Sequence, residues 1–298
     1  MRKNIKLFVV IFFCLLPIYS HAKLKVLTTT NNLKSLVELI AGDKVDVESF
    51  SKGTQDPHYI EAKPSYMVKA SRADLLVSIG LELEVGWLPL ILRGSRNPRL
   101  REGEEGHFIA GNLIETLEKP TATFSRADGD VHPEGNPHFL LDPLNAIKIA
   151  EKLKFKLAKL DPENTSVYEK NFKKFTSDLT LRVKQWKKRI KVGTKVITYH
   201  KTLTYFYHRF GIINIALLEP KPGVPPSARH ILGVMKKAKT EGVKLAIVEN
   251  YFDPTVANRV AKDVIGLKVK VVPVSVNGEP KILNLFDLYE SLITSVEE

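Results

Sequence analysis

The sequence contains almost no cysteine: Cys14 is the only one among its 298 residues. It lies in an apolar amino-terminal segment that we predict to be removed on export, which leaves the mature protein without a thiol. This excludes disulfide bonds and cysteine metal ligands. Phe12 and Phe13 precede Cys14, where a lipid-modified cysteine needs small residues, so we also predict that the protein is not lipid-anchored.

The amino-terminal segment has the features of a secretory signal peptide. Arg2 and Lys3 begin it, an apolar run covers residues 7–19, and small residues end it at Ala22. The apolar run is too short for a membrane-spanning anchor. We predict cleavage of residues 1–22 and a periplasmic location for the rest of the chain.

The chain is basic, with 45 lysines and arginines against 33 acidic residues and a formal net charge of +12. A basic chain can indicate nucleic-acid binding. Here the lysines concentrate in segments 148–159 and 170–191, where they alternate with apolar positions as on a solvated helix surface. Export also separates the protein from nucleic acid, so we predict no nucleic-acid partner.

Apolar extended segments alternate with helical periodicity in both halves of the chain. Predicted strands cover residues 25–29, 45–50, 75–78, 195–198, 213–217, 245–248 and 269–274, and predicted helices cover 33–41 and 64–70. This order is typical of mainly parallel sheets flanked by helices. We therefore predict an α/β fold with an amino-terminal lobe (23–160) and a carboxy-terminal lobe (192–298).

The segment between the lobes predicts one long helix within residues 161–191. Asp161 is a suitable N-cap, Pro162 suits the first helical position, and no glycine or proline follows before Gly193. A helix of about 25 residues would be about 38 Å long, enough to run along both lobes. A coiled-coil arm is the alternative, but the apolar spacing is too irregular for heptads.

Three histidines follow extended segments or lie in proline-marked turns, where α/β proteins place functional side chains. They are His58 in GTQDPHYIEAKPS, His138 in GNPHFLLDP and His200 in ITYHKTLTYF. Neutral imidazole is a preferred ligand of zinc and related divalent cations. Three imidazoles on separate loops therefore predict a metal site.

These segments resemble the substrate-binding proteins of zinc and manganese ABC importers, a family that includes the streptococcal metal-binding adhesins. The matching segments are GTQDPHYIEAKPS, ADLLVSIGLELEVGW, HPEGNPHFLLDP, TYHKTLTYFYHRFG and EPKPGVPPSARHI, in the same order and spacing. The resemblance implies two α/β lobes joined by one long helix, with the metal held between them by His58, His138 and His200. It further implies a monomeric, non-enzymatic binding protein that delivers the metal to a membrane ABC permease.

The fourth ligand is where the sequence departs from this family. Many relatives have an aspartate just after the last strand of the second lobe, but here the strand continues into VSVNG (274–278) without a carboxylate. Glu249 is the best substitute because it follows the apolar strand LAIV at its carboxyl end. It could be a direct ligand or an acceptor that orients a histidine. Water is a third possibility, and Glu279 or Asp253 are weaker ones.

The remaining histidines have simpler interpretations. His132 could be a recruiting ligand at the rim, but we favour a turn residue before Pro133. His208 falls on the same predicted helix as His200 and should pack, while His107 and His230 should be surface residues.

Zinc is the predicted metal, with manganese possible. Three nitrogens favour zinc, because manganese prefers oxygen donors. The histidine-rich acidic loop of many zinc-specific relatives is missing, since segment 121–136 contains only His132. A secreted zinc hydrolase is the alternative function, but the chain has no H-E-x-x-H motif and no other group of residues suited to orienting a substrate. An adhesin role is not needed to explain the sequence.

Overall fold

The computed structural model describes residues 22–120 and 131–297, which fold into two lobes. Each lobe is built on a four-stranded, fully parallel sheet flanked by helices. The predicted α/β fold with two lobes and a joining helix is therefore confirmed. Residues 1–21 of the predicted signal peptide lie outside the described residues.

The amino-terminal lobe has strand order β2-β1-β3-β4. Its elements are β1 (Leu24–Thr28), α1 (Asn31–Ala41), β2 (Val45–Ser49), α2 (Pro64–Ser71), β3 (Leu75–Ser78), α3 (Leu88–Ser95), β4 (His107–Ile109) and α4 (Pro143–Leu160). The Thr30 hydroxyl caps α1 by accepting a hydrogen bond from the Leu33 N–H at 3.3 Å. Gly42 ends the same helix with a φ of 60° and a ψ of −134°, a positive-φ conformation that glycine adopts without strain.

The carboxy-terminal lobe repeats this arrangement with strand order β6-β5-β7-β8. Its elements are β5 (Lys195–Thr198), α6 (Thr204–Phe210), β6 (Ile213–Leu217), α7 (Ala228–Thr240), β7 (Leu245–Glu249), α8 (Thr255–Asp263), β8 (Lys268–Val272) and α9 (Leu285–Val296). Strand β8 ends two residues earlier than predicted. Pro273 follows it, and proline has no N–H to continue the ladder.

The long helix α5 covers Thr165–Arg189, and its 25 residues match the predicted length. Its start differs from the prediction, because Pro162–Asn164 form a separate 3-10 turn and Asn164 occupies the N-cap position. Buried side chains along one face, including Phe175, Leu179 and Trp186, pack the helix against both lobes.

One hydrophobic core continues from lobe to lobe. It joins Leu36 and Val37 of the first lobe, Leu179 of α5, and Leu288 and Leu292 of the second lobe, all of which are fully buried. A shared core of this kind opposes separation of the lobes, because opening them would expose its apolar surface to water.

Polar contacts join the lobes at the carboxyl ends of both sheets. Asn32 donates to the Val274 carbonyl at 3.1 Å and accepts from the Val276 N–H at 2.8 Å. Beside this contact, a Cβ atom on Gly53 would lie 2.2 Å from the Asn277 carbonyl carbon, so the two backbones approach as only glycine allows. The loop that carries His58 is thus held against the second lobe.

Candidate metal centre

The histidines singled out in the sequence meet between the lobes. His58 lies in the loop after β2, His138 immediately precedes the 3-10 turn Phe139–Leu141, and His200 follows β5. Their ring centroids are 5.3 Å (His58 to His138), 5.8 Å (His58 to His200) and 5.6 Å (His138 to His200) apart. One nitrogen from each ring lies within 4.8 Å of the other two, a spacing that could hold a single metal ion.

Two of these histidines lie in separate turns of the same type. The backbone N–H of His58 donates to Asp56 Oδ1 at 3.0 Å, and that of His138 donates to Asn136 Oδ1 at 2.9 Å. Each histidine thus follows an Asx-Pro pair whose side chain closes the turn, which explains the recurrence of D-P-H and N-P-H. Asn136 also donates to the Lys201 carbonyl at 2.9 Å, which links this turn to the second lobe.

Asp56 fixes the tautomer of the His58 ring as well as the conformation of its backbone. His58 Nδ1 lies 2.7 Å from Asp56 Oδ1. Burial acts to raise the pKa of Asp56, but its hydrogen bonds and charge interaction with His58 hold that pKa below its usual value of 3.8. An ionised carboxylate only accepts hydrogen bonds, so Nδ1 of His58 carries the proton and Nε2 faces the other imidazoles.

Glu219 has the same relationship to His200. Both side chains are buried, and His200 Nδ1 donates to Glu219 Oε1. Burial acts to lower the pKa of His200, but the hydrogen bond and negative charge of Glu219 raise it above 6.5. No role was predicted for Glu219 from the sequence. Its place just after β6 was the available signal, since it is the same kind of position that identified Glu249.

His138 differs from His200, because its surroundings favour the neutral imidazole. Burial and the nearby imidazoles of His58 and His200 lower its pKa well below 6.5. Its Nε2 atom is buried and has no hydrogen-bond partner among the residues that the structure describes. An orphaned buried nitrogen is costly unless something binds it, and a metal ion would satisfy it.

Glu249 ends β7 and is fully buried. Neither of its carboxylate oxygens has a hydrogen-bond partner within the described ranges. Burial raises its pKa to about 7, although the positive charge of His200 acts in the opposite direction. The carboxylate oxygens of Glu249 do not belong to the group of donor atoms that all lie within 4.8 Å of one another.

His132 lies closer to the site than the sequence analysis favoured. It begins the expected turn, since its carbonyl accepts from the Gly135 N–H at 3.1 Å. Its ring, however, packs against His58, with the two Nε2 atoms 3.2 Å apart. A cavity of about 380 Å³ reaches His132, His138 and His200 from the surface.

Three other histidines differ from expectation. His208 lies on α6, which begins only at Thr204, so it does not share a helix with His200, and its side chain is exposed rather than packed. His107 is the first residue of β4 and is half-buried, with its Nε2 2.9 Å from the Ser78 hydroxyl. His230 is half-buried at the start of α7 and its ring donates to the Leu217 carbonyl at 2.9 Å.

Comparison with known proteins identifies the family. Residues 26–298 match the family described as ZnuA, zinc-uptake complex component A periplasmic. The chain belongs to this family. It is a metal-binding substrate-binding protein of an ABC transporter, and proteins of this class deliver metal to a membrane permease and are not enzymes. The resemblance drawn from the sequence is confirmed, and the hydrolase alternative is not.

Known relatives and structures agree with this assignment. The manganese ABC transporter substrate-binding lipoprotein PsaA of Streptococcus pneumoniae is 29% identical over 248 residues, which are 82% of this chain and 77% of the relative. The fold matches a crystal structure of ZnuA with a TM-score of 0.77 at 22% identity, covering 93% of this chain and 100% of the other. It also matches the Mn-bound periplasmic metal-binding protein of Candidatus Liberibacter asiaticus, with a TM-score of 0.75 at 21% identity over 92% and 98% of the two chains.

No helix in the described part of the chain combines the length and apolar character that crossing a membrane requires.

Proposed function

We propose that this protein captures zinc between its lobes in the periplasm and presents it to the permease of an ABC importer. The convergence of His58, His138 and His200 carries the proposal, because one nitrogen from each lies within 4.8 Å of the others. Nδ1 of His58 and Nδ1 of His200 each donate to a carboxylate, so Nε2 is the ligand atom of both rings. Burial keeps His138 neutral. Each ring thus turns one nitrogen toward the site, and binding of a metal ion would displace the proton that Glu219 favours on His200.

Donor chemistry supports zinc over manganese. Imidazole nitrogen suits zinc, whereas manganese prefers carboxylate, carbonyl and water oxygens and lies lower in the intrinsic affinity order. A manganese-specific protein is the alternative, because the relative from Streptococcus pneumoniae is named for manganese. Such a site would need an oxygen donor, for which Glu249 is the buried candidate.

Glu249 acts, in this proposal, through His200 rather than on the metal. Its carboxylate is fully buried, lies outside the 4.8 Å set and interacts electrostatically with His200. In its ionised form, a carboxylate that interacts with a ligating imidazole makes that ligand a stronger donor and helps to hold the positive charge of the ion.

The proposal extends to the cellular setting. A signal peptide cleaved after Ala22 would release the protein into the periplasm without a lipid anchor, since small residues do not precede Cys14. The protein works as a monomer, because one chain supplies the three converging histidines. Docking of the metal-loaded form on the membrane permease would then complete delivery.

Metal analysis and calorimetry test the proposal together. Protein purified from its native compartment should contain about one zinc ion per chain, and zinc should bind the metal-free protein more tightly than manganese. Alanine at His58, His138 or His200 should each weaken zinc binding at least about tenfold, since even residues that only support ligands cost that much. His208→Ala is the matched control, because this exposed histidine lies on α6 and should bind zinc like wild type.

A further inference from the structure

His132 faces His58 with an imidazole nitrogen of each ring close to one of the other. Its Nδ1 lies 2.9 Å from the Leu81 carbonyl, and its Nε2 lies 3.2 Å from Nε2 of His58. A carbonyl oxygen only accepts hydrogen bonds, so Nδ1 of His132 carries a proton. On the other ring, Asp56 holds the proton on Nδ1 of His58. A neutral imidazole with its proton on Nδ1 has its lone pair on Nε2, so in their neutral forms the two rings would turn acceptor nitrogens toward each other.

Two facing lone pairs repel unless a cation lies between them. The separation of 3.2 Å fits a shared metal ion. Zinc binds imidazole nitrogen at about 2.0–2.1 Å, so two nitrogens on one tetrahedral ion lie about 3.3–3.4 Å apart. A proton shared between the rings would also relieve the repulsion, and zinc would replace it on binding.

His132 lines the cavity that leads to the site, as do two of the three converging histidines. His132, His138 and His200 all line it. His132 is not in the set whose nitrogens lie within 4.8 Å of one another, so its ring must move inward to share an ion with all three. Residues 131–136 form neither helix nor strand, which permits such a movement.

We propose that His132 is the fourth ligand, which completes a site of four imidazole nitrogens. This inference rests on the proposed function. It assigns the fourth ligand, for which Glu249 and water were the main candidates from the sequence. His132 binds from the cavity side after His58, His138 and His200 have formed the base of the site. A ligand set without a carboxylate favours zinc and the other divalent metals late in the first transition row over manganese.

X-ray absorption of the zinc-loaded protein tests this assignment. Wild type should show four nitrogen neighbours at about 2.0–2.1 Å with imidazole scattering. His132→Ala should lose one imidazole, and its zinc affinity should fall at least about tenfold, the loss that even a ligand-supporting residue causes. The preference for zinc over manganese should fall in the same variant. His132→Gln separates loss of the imidazole from loss of bulk and should behave like the alanine variant.

The outcomes separate this inference from the proposed function. Zinc binding in His132→Ala with an unchanged imidazole count would overturn the role of His132. The proposed function would survive that result if His58→Ala and His200→Ala still lost zinc. Zinc binding that is unaffected in both of those variants would instead overturn the proposed function. His208→Ala should match wild type in each measurement, since its exposed ring lies away from the cavity that holds His132.

Discussion

Glu219 accepts a hydrogen bond from Nδ1 of His200, and both side chains are buried. The carboxylate holds the imidazole in one orientation and one tautomer, with Nε2 directed toward His58 and His138. Its second oxygen accepts from the Gly223 N–H at 3.3 Å, which ties the ligand to the loop before α7. His200 is therefore a positioned ligand before any metal arrives.

Glu219→Gln should weaken zinc binding about 10- to 100-fold, the usual cost of losing a partner that orients a metal ligand. The glutamine keeps the size and a hydrogen-bond acceptor but removes the buried charge. A competition titration against a chromophoric chelator measures the change. Glu279→Gln is the control, because this partly exposed side chain forms one ion pair among the described residues, with Lys281 at 3.7 Å, and the change should be nearly silent. Equal affinities for both variants would contradict a supporting role for Glu219.

Glu249→Gln should leave the metal's nearest neighbours unchanged. If its carboxylate acts only through His200, the loss of zinc affinity should not exceed about 100-fold. X-ray absorption decides the point, since a direct carboxylate would contribute an oxygen at about 2.0–2.2 Å. Disappearance of such an oxygen in the variant would make Glu249 a ligand and contradict our assignment.

Gly53→Ala should destabilise the junction between the lobes. The new methyl group would lie 2.3 Å from the Val276 carbonyl oxygen, so one of the two loops must move. We expect a loss of about 1–3 kcal/mol in the free energy of unfolding, together with weaker zinc binding because the loop carries His58. Gly233→Ala is the control, since a Cβ atom there meets nothing within 4 Å and alanine favours the helix. Denaturant unfolding without metal compares the two.

His107 should make stability depend on pH. Burial lowers its pKa to about 4 in the folded protein, from 6.5 in the unfolded chain. The unfolded state therefore binds a proton more readily, and stability that is fully present above pH 6.5 is lost as the pH falls toward 4. The loss should reach about 2–3 kcal/mol near pH 4.5. His107→Gln should lose less stability over this range than wild type, as measured by denaturant unfolding of the metal-free protein. An identical pH dependence in both would contradict a buried neutral His107.

The sequence was sufficient to predict seven of the eight strands in the described residues, because they are short apolar segments with clear boundaries; β4 (His107–Ile109) was missed. The strands 75–78, 195–198 and 213–217 were predicted with the bounds that the structure has. The grouping of His58, His138 and His200 was predicted from their places on separate loops and from the resemblance to the metal-binding family, which implied a site between the lobes. The start of α5 was less predictable, because a 3-10 turn and an α-helix share the same N-terminal signals.

Other parts of the site depend on contacts between distant segments. The ring of His132 is positioned by the Leu81 carbonyl, and Leu81 has a φ of 54° that its sequence does not signal. His107 was assigned to the surface because charged residues and glycines surround it, but its pairing with β3 buries the ring beside Ser78. Neither contact leaves a local pattern in the sequence.

The most direct test of the histidine site is the zinc K-edge absorption spectrum of wild type beside His58→Ala, His138→Ala and His200→Ala. We predict a first shell of imidazole nitrogens at about 2.0–2.1 Å in wild type, and at least about tenfold weaker zinc binding in each variant. Metal bound by oxygen atoms in wild type, or bound as tightly in all three variants, would contradict a histidine-bound zinc site between the lobes.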